Sequence, residues 1–315
     1  MSKKRYKPLL KYVCKRVLQM IPLLLLISFV VFIMLSFAPG DPALLLIGPI
    51  GATPEKINEV RESLGLNKPL LVRYFDFLKN LIFHGDLGRS FQSKRPVTQE
   101  IARTLPVSIR LALNAMIIST FFAIILGVMS AIKQYSFLDN ITKIIVLTGV
   151  SMPIFWLGLV MIVIFSVYLG LFPSSGWGDW RHMFLPSVTL AAYPLAMLAR
   201  LTRSTMLEAI RKDYIRTARS KGLSEFSVIY KHALRNALIP VITMTGLQFG
   251  LLISGSILTE TVFAIPGIGR LTVQAIYIRD YPIIQGTILV SAAIFAVVNL
   301  LVDISYTFLD PRVKY

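Results

Sequence analysis

Six long segments of the chain contain no Asp, Glu, Lys or Arg residue, and they constrain the fold more than any other feature. A helix of about 20 apolar residues spans the hydrocarbon core of a bilayer. Only helices and closed barrels satisfy their own backbone polar groups there. The sequence therefore predicts an all-α membrane protein with six transmembrane helices. The segments are residues 17–37, 111–132, 144–171, 183–199, 237–259 and 281–302.

The composition agrees with a membrane protein. Hydrophobic residues make up 55% of the chain and charged residues 16%, whereas a soluble domain has about 25% charged residues. The first apolar segment follows a basic start, as in a secretory signal, but it is longer than the apolar core of a signal and no Ala-x-Ala cleavage site follows it. We therefore expect a retained helix. Pro153 predicts a kink in the third segment, and the single Cys14 excludes an intrachain disulfide.

The basic residues divide unequally between the two sides of the predicted membrane. Four segments on one side, residues 1–16, 133–143, 200–236 and 303–315, hold 20 of the 33 Lys and Arg residues. Because basic loops stay in the cytoplasm, both termini are predicted to be cytoplasmic. The net charge of +17 is explained by this asymmetry, and nucleic-acid binding is not expected.

Residues 213–240 lie between two long apolar segments and are too polar to cross a bilayer, and they predict a basic helix-turn-helix on the cytoplasmic side. Asp213 is suited to cap a first helix, and Gly222 follows where a helix end favours a positive φ. Ser224 can start a second helix. We interpret this segment as the place where another protein pushes on the bundle.

The sequence lacks the residues that would energise transport within this chain. It contains no P-loop and no His-Glu-x-x-His motif, and no cofactor or metal site is predicted. The predicted spans contain no ionisable residue of the kind that ion-coupled transporters place inside the bundle. The chain is therefore either a passive pore or a subunit that receives energy from a partner.

Several motifs resemble the permease subunits of binding-protein-dependent ABC importers, most closely the dipeptide, oligopeptide and nickel branch. Within YIRTARSKG and KHALRNALIP, Ala218, Gly222 and Leu234 match the general pattern of the cytoplasmic coupling loop. Arg216, Thr217, His232 and Arg235 depart from it, in a way that is similar to the peptide and nickel branch. Further similar stretches are APGDPA (38–43), GDLGRS (85–90), SMPIFWLG (151–158), TETVFAIPGIGR (259–270), RDYP (279–282) and LDPR (309–312).

This resemblance implies a non-catalytic permease in a bacterial or archaeal plasma membrane. It would work with a second, similar permease, two cytoplasmic ATP-binding subunits and an extracytoplasmic solute-binding protein. It divides the chain into a basic tail with the first helix (1–37), an extracytoplasmic cap (38–106), a five-helix permease domain (104–303) and a cytoplasmic tail (304–315). The residues expected to couple to the ATP-binding subunits are Tyr214, Arg216, Ala218, Arg219, Gly222, His232, Leu234 and Arg235.

Two further sets of residues are candidate functional residues, and each set also has a purely structural interpretation. Met244 and Gln248 stand at helical spacing on the span after the coupling loop, where they either line the translocation path or pack. Glu260, Arg270, Arg279 and Asp280 lie in a predicted outward loop, where they either dock the binding protein or are simply solvated.

The sequence leaves alternatives open for the substrate and for the class of protein. Peptides are the expected substrate, with nickel or another metal chelate as the alternative for the same machinery. A self-sufficient secondary transporter or channel would show uptake without ATP-binding partners. An intramembrane enzyme would need a nucleophile or metal ligands at membrane depth, and a membrane anchor would not need the large basic loop.

Overall fold

The computed structural model describes residues 6–38, 40–47, 53–63 and 65–309. The first five residues and the predicted tail beyond residue 309 lie outside this part of the chain. The helices are α1 (Tyr6–Ser36), α2 (Pro42–Ile47), α3 (Pro54–Ser63), α4 (Leu70–His84), α5 (Val97–Ile132), α6 (Phe137–Ser151), α7 (Ile154–Met161), α8 (Trp180–Ile210), α9 (Asp213–Ser220), α10 (Glu225–Ser227), α11 (Leu234–Gly255), α12 (Ile257–Val262), α13 (Ile268–Ile278) and α14 (Tyr281–Leu309).

In the part of the chain that the structure describes, five helical stretches are long and apolar enough to cross a membrane, and there are six when the bent pair Phe137–Ser151 and Ile154–Tyr168 is counted as one span. The prediction of an all-α protein with six spans is therefore confirmed. The five stretches are Tyr12–Ser36, Val97–Ile132, Trp180–Ile210, Glu225–Ile253 and Tyr281–Ile304.

The third span is broken rather than kinked, which corrects the expectation for Pro153. α6 ends at Ser151 and α7 begins at Ile154, and the two helices are bent by 112°. Pro153 has no N–H to donate, and the residue before it is pushed out of the helical region. Met152 accordingly has φ −82° and ψ 130°. A π-helical turn, Ile162–Tyr168, completes this span.

Two other helices differ in length from the apolar segments that predict them. α5 begins at Val97, fourteen residues before the uncharged segment at 111–132, because Pro96 precedes it in an extended conformation that suits a helix start. α8 runs unbroken from Trp180 to Ile210 and so extends past Arg200 and Arg203, beyond the uncharged segment at 183–199. The fifth span ends at Gly255 instead of residue 259, and the short α12 follows it.

α5 and α8 form the most extensive helix pair and lie at the centre of the molecule. A Cβ atom on Gly127 of α5 would lie 2.5 Å from the Cβ atom of Thr202 of α8, so only glycine permits this close crossing. α11 packs against α8 and α14, and α1 packs against α14. The central apolar core is formed mainly by residues of α5, α8 and α11.

The described part of the segment between α1 and α5 contains the helices α2, α3 and α4. Gly65, between α3 and α4, has a positive φ of +64°. Asp41 accepts hydrogen bonds from Arg61 and from the Ala43 N–H. Burial raises the pKa of Asp41, but these hydrogen bonds lower it more, so the pKa lies below its ordinary value.

Candidate functional site

The polar stretch between α8 and α11 folds into two helical pieces joined by a tight turn, and we call residues 213–233 the α9–α10 segment. α9 begins after Lys212, whose extended backbone occupies the cap position without a side-chain hydrogen bond. The predicted cap at Asp213 is therefore wrong. Asp213 instead lies in the first turn, where its charge complements the helix dipole, and its carboxylate is 3.5 Å from Arg216.

The turn itself agrees with the prediction. Gly222 has a φ of +75°, and its N–H donates to the Arg219 carbonyl at 2.9 Å. The Ser224 hydroxyl accepts from the Ser227 N–H at the start of α10. Across the turn, the Arg219 guanidinium donates two hydrogen bonds to Glu225, at 2.6 and 3.1 Å. These contacts hold α9 and α10 at a defined angle.

The second helical piece does not stand alone, which corrects the expectation of two short helices followed by a separate span. α10 continues through a π-helical stretch, Val228–Ala233, directly into α11. The stretch Glu225–Ile253 is therefore one continuous helical element. A displacement of the turn at Gly222 is consequently applied to the end of a membrane-spanning helix without an intervening loop.

One side of the α9–α10 segment is buried against the bundle. Ile215 and Ala218 of α9 and Val228 of the π-helical stretch are buried. They share an apolar cluster with Val128 of α5 and Met206 of α8. Ala218 is therefore small because it packs inward. The cluster joins the segment to the two helices at the centre of the molecule.

The opposite side of the segment exposes aromatic and basic side chains. Phe226 is 73% exposed, and its ring contacts that of Tyr230 in a tilted arrangement at a centroid distance of 4.6 Å. Tyr214 and Leu223 are also exposed. Of the other residues predicted to couple, Arg216, Arg219, Gly222 and Arg235 are exposed, whereas His232 and Leu234 are half-buried. This surface combines apolar contact area with positive charge.

A buried carboxylate next to this segment was missed by the sequence analysis. Asp139 of α6 accepts from the Arg203 guanidinium of α8 at 2.9 and 3.1 Å. It also accepts from Ser130 and the Tyr135 N–H and pairs with Lys143 at 2.9 Å. The cluster ties the α5–α6 turn to α8, about two turns before α8 ends at Ile210. The Ser136-x-x-Asp139 spacing, in which Asp139 N–H donates to Ser136, was the available signal.

At the other end of the molecule, two of the four predicted docking residues are buried. Glu260 is 0% exposed and accepts from the Ser108 and Ser256 hydroxyls, each at 2.6 Å, and from the Arg270 N–H at 3.0 Å. We call these residues the Glu260 cluster. A Cβ atom on Gly267 would lie 2.3 Å from the Glu260 Oε2, so glycine is required beside this carboxylate.

Asp280 forms a second buried cluster. Its carboxylate accepts from the Ser90 hydroxyl at 2.5 Å and from the Phe91 and Gln92 N–H groups at 3.1 and 3.3 Å. The Asp280 and Glu260 carboxylates therefore hold loops together and are neither solvated nor presented to a partner. Arg270 is half-buried and donates to the Ala264 carbonyl, while Arg279 is exposed and has a φ of +56°.

The two candidate path residues lie on α11. Gln248 is buried, and Met244 is half-buried and packs against the central core. Their surroundings within this single chain agree with packing. Among the residues that the structure describes, no group of three or more His, Cys, Asp or Glu side chains is placed to hold a metal ion.

Comparison with known families gives two matches that together cover most of the chain. Residues 123–315 match the family model described as "Binding-protein-dependent transport system inner membrane component". Residues 9–112 match the model for the N-terminal part of such a component.

Similar curated proteins match over nearly the full length. A putative peptide transport system permease protein of Brucella abortus is 48% identical over 311 residues, covering 96% of this chain and 98% of the relative. The glutathione transport system permease protein of Escherichia coli K12 is 43% identical over 307 residues, covering 98% and 100%. The dipeptide transport system permease protein of Alkalihalophilus pseudofirmus is 43% identical over 335 aligned positions, covering 98% and 100%.

Solved structures share the fold at low sequence identity. The MetNI methionine ABC transporter in an inward-facing conformation matches with a TM-score of 0.54 and 20% identity, covering 68% of this chain and 97% of that chain. An amino acid ABC transporter crystallised with histidines matches with a TM-score of 0.52 and 16% identity, covering 69% and 95%.

Proposed function

Since the chain belongs to the family of binding-protein-dependent transport system inner membrane components, we propose that it is one of two permease subunits of an ATP-driven importer of short peptides. Membership confirms the family identified from the motifs. An ABC importer permease of this family is a multi-pass membrane protein that works with ATP-binding subunits and a binding protein. The number of each subunit, the cytoplasmic position of both termini and the absence of catalysis in this chain are parts of the proposal.

The two-sided α9–α10 segment is the observation that carries this proposal. Its exposed side offers Phe226 and Tyr230 with neighbouring cations to a partner. Aromatic and Arg residues are the types that contribute most of the binding energy in protein interfaces. Its buried side packs on α5 and α8. A partner that moves the segment therefore acts on three membrane-spanning helices at once.

The proposed mechanism is alternating access driven from the cytoplasmic side. Closure of the ATP-binding subunits on ATP displaces the α9–α10 segment, and α11 follows because it is continuous with α10. α8 follows through the apolar cluster around Met206 and carries α6 through the Arg203–Asp139 contact. Rigid helices moving against one another then change the side on which the path opens. No covalent bond is made or broken in this chain.

The substrate class rests on the relatives, whose names specify peptide, dipeptide and glutathione transport. Nickel or another chelate remains the alternative within the same machinery. The complete transporter with its own binding protein, reconstituted in liposomes, should accumulate radiolabelled di- or tripeptides when ATP is enclosed. Accumulation of a nickel chelate with no peptide uptake would favour the alternative. Uptake by this chain without ATP-binding subunits would contradict the importer altogether.

Because Glu260 and Asp280 are buried, they cannot contact the binding protein directly. The Glu260 and Asp280 clusters support docking of the binding protein indirectly, by holding the loops in place. Arg279 is the member of the predicted set whose side chain is exposed for direct contact. Met244 and Gln248 are proposed to approach the path only where α11 meets the second permease subunit.

Gly222 gives the sharpest test of coupling. No atom lies within 4 Å of a Cβ atom placed there, so a substitution changes the backbone preference without a clash. A β-branched residue strongly disfavours the positive φ, whereas Asn tolerates it. Gly222→Val should reduce substrate-stimulated ATP hydrolysis by about tenfold or more at normal membrane abundance, and the matched control Gly222→Asn should keep most of it. Equal stimulation in both variants would contradict the coupling role.

A further inference from the structure

α4 packs against α1 through one of its faces. The Tyr74 hydroxyl lies 2.8 Å from the Ser28 hydroxyl and donates to the Leu25 carbonyl at 3.1 Å. The Tyr74 ring contacts Phe29 and Phe32 at centroid distances of 5.0 and 5.5 Å. α4 therefore lies alongside the C-terminal half of α1 and is held there by hydrogen bonds and by aromatic packing.

The position of these contacts along α1 places α4 at membrane depth. Ser28 precedes Ser36, the last residue of α1, by eight residues, which corresponds to about 12 Å at about 1.5 Å per residue. The uncharged segment of α1, residues 17–37, is about as long as the hydrocarbon core is thick, about 30 Å. The Tyr74 ring, between Ser28 and Phe32, is therefore within the hydrocarbon region.

A second face of α4 is apolar and uncovered. Phe75 is 65% exposed and Ile82 is 66% exposed. Leu71 lies four residues before Phe75, on the same side, and it is also exposed. Lys79 between them can extend its ammonium group to the polar boundary while its stem stays among apolar groups. The Phe75 ring lies 6.1 Å from the Tyr74 ring, which contacts Phe29 of α1, so this face lies beside α1, on which Met34 is likewise exposed.

The third face of α4 is polar and borders a cavity. Arg73, Asp76 and Asn80 line a cavity of about 780 Å³ between α4 and the start of α14. Asp76 pairs with Lys68 at 2.7 Å, and the Arg73 guanidinium lies 5.8 Å from the centre of the Phe32 ring. One helix thus separates a polar cavity from an uncovered apolar surface.

We propose that α4 is an amphipathic helix embedded in the bilayer interface, with Leu71, Phe75 and Ile82 among phospholipid acyl chains. Interfacial helices bury an apolar face by about 5–10 Å while their polar face stays in water. The segment between α1 and α5 is then anchored in the membrane and is not a wholly aqueous cap. The occupant is lipid because the apolar face lies beside the membrane-spanning α1. Only the choice of leaflet rests on the proposed topology.

Spin labels on the two sides of α4 test the proposal. The assembled transporter, with Cys14→Ser in this chain, is reconstituted in nanodiscs with a label at Phe75→Cys or Ile82→Cys, and Asn80→Cys is the matched control on the polar face. Collision rates with oxygen and with a water-soluble nickel chelate are measured by power saturation. The ratio of oxygen to chelate collisions should be at least about threefold higher at residues 75 and 82 than at residue 80.

Two results would overturn the proposal. Equal ratios at all three positions would mean that α4 is surrounded by water. Labels at residues 75 and 82 that meet neither reagent would mean that a second permease or the binding protein covers this face. Ascorbate added outside closed vesicles of known orientation identifies the leaflet separately, so that a wrong topology is distinguished from a wrong lipid contact.

Discussion

Charged residues serve opposite purposes at the two ends of this permease. In the α9–α10 segment, Arg216 and Arg219 are exposed and pair only with exposed carboxylates. At the opposite end, which we propose to be the outer one, Glu260 and Asp280 are buried and accept several hydrogen bonds each. The proposed inner end exposes aromatic and basic side chains, while the proposed outer end uses its carboxylates to fix loops. Exposure, and not residue type, distinguishes the two.

The difference between the two ends bears on how the molecule would transmit motion in the proposed mechanism. In the proposed mechanism, the segment that a partner displaces must pack firmly against the helix bundle and expose its opposite side to that partner. The α9–α10 segment has both features. Loops at the far end must keep their shape while the helices beneath them move, and a buried carboxylate with donors from several elements achieves this. Substitutions at the outer end should therefore change stability, and substitutions on the exposed inner surface should change partner binding.

The largest effect is expected from Glu260→Ala. Removal of the carboxylate leaves two hydroxyls and one N–H without an acceptor in a buried site, which should cost about 4 kcal/mol of folding free energy. The midpoint of thermal aggregation of the detergent-solubilised transporter should fall by roughly 10 °C. Glu260→Gln keeps the size and one oxygen acceptor and should lose about half as much. An unchanged midpoint for the Ala variant would remove the structural role of this cluster.

A smaller effect is expected from Asp280→Ala, which frees the loop at residues 90–92 from its three hydrogen bonds. Hydrogen bonds to a charged acceptor contribute about 1.5–3 kcal/mol each, less where water replaces the lost partner, so we expect a loss of about 2 kcal/mol. Protease cleavage near Gln92 should become faster. The control Asp86→Ala removes one exposed hydrogen bond to the Gly88 N–H and should leave the cleavage rate unchanged. Similar rates in both variants would contradict the difference between buried and exposed carboxylates.

On the inner surface, Phe226→Ala should barely affect folding but should weaken assembly. The side chain is 73% exposed, so the folding free energy should change by less than about 0.5 kcal/mol. Loss of an aromatic interface anchor typically costs more than about 1.4 kcal/mol, a tenfold change in affinity for the ATP-binding subunits. Tyr277→Ala, which removes a residue 84% exposed at the outer end, should leave this affinity unchanged. Pull-down titrations compare the two, and equal affinities would show that Phe226 is not an anchor.

The smallest effect is expected from the Arg219–Glu225 pair, since exposed ion pairs contribute little to stability. Arg219→Ala should shift the midpoint of thermal aggregation by no more than about 1 °C. The exchange Arg219→Glu with Glu225→Arg should likewise leave this midpoint nearly unchanged. A large shift for Arg219→Ala would mean that the inner surface also depends on charge for its folding.

The spans and the coupling turn were predictable from the sequence because their signals are local. An uncharged segment predicts a helix from its own residues, and Gly222 and Ser224 predict a turn from their immediate neighbours. The structure contains these helices and this turn. Asp213 shows the limit of local signals, because any of several consecutive polar residues can occupy the cap, and the extended Lys212 does so.

The buried carboxylates were not predictable in this way. Glu260 meets Ser108, 152 residues away, and Asp280 meets Ser90, 190 residues away. Asp139 and Arg203 are likewise brought together only by the packing of α6 on α8. A charged residue beside an apolar segment has the same local sequence whether it is solvated or buried, so its role depends on helices that are distant in the chain.

The central claim is that the α9–α10 segment faces the cytoplasm and contacts the ATP-binding subunits. The most direct test is the reaction of Phe226→Cys, in a chain with Cys14→Ser, with a membrane-impermeant maleimide. We predict no labelling in intact spheroplasts, rapid labelling in inverted membrane vesicles stripped of ATP-binding subunits, and protection when those subunits are added back. Labelling from the outside, or labelling in inverted vesicles that the subunits do not slow, would contradict the claim.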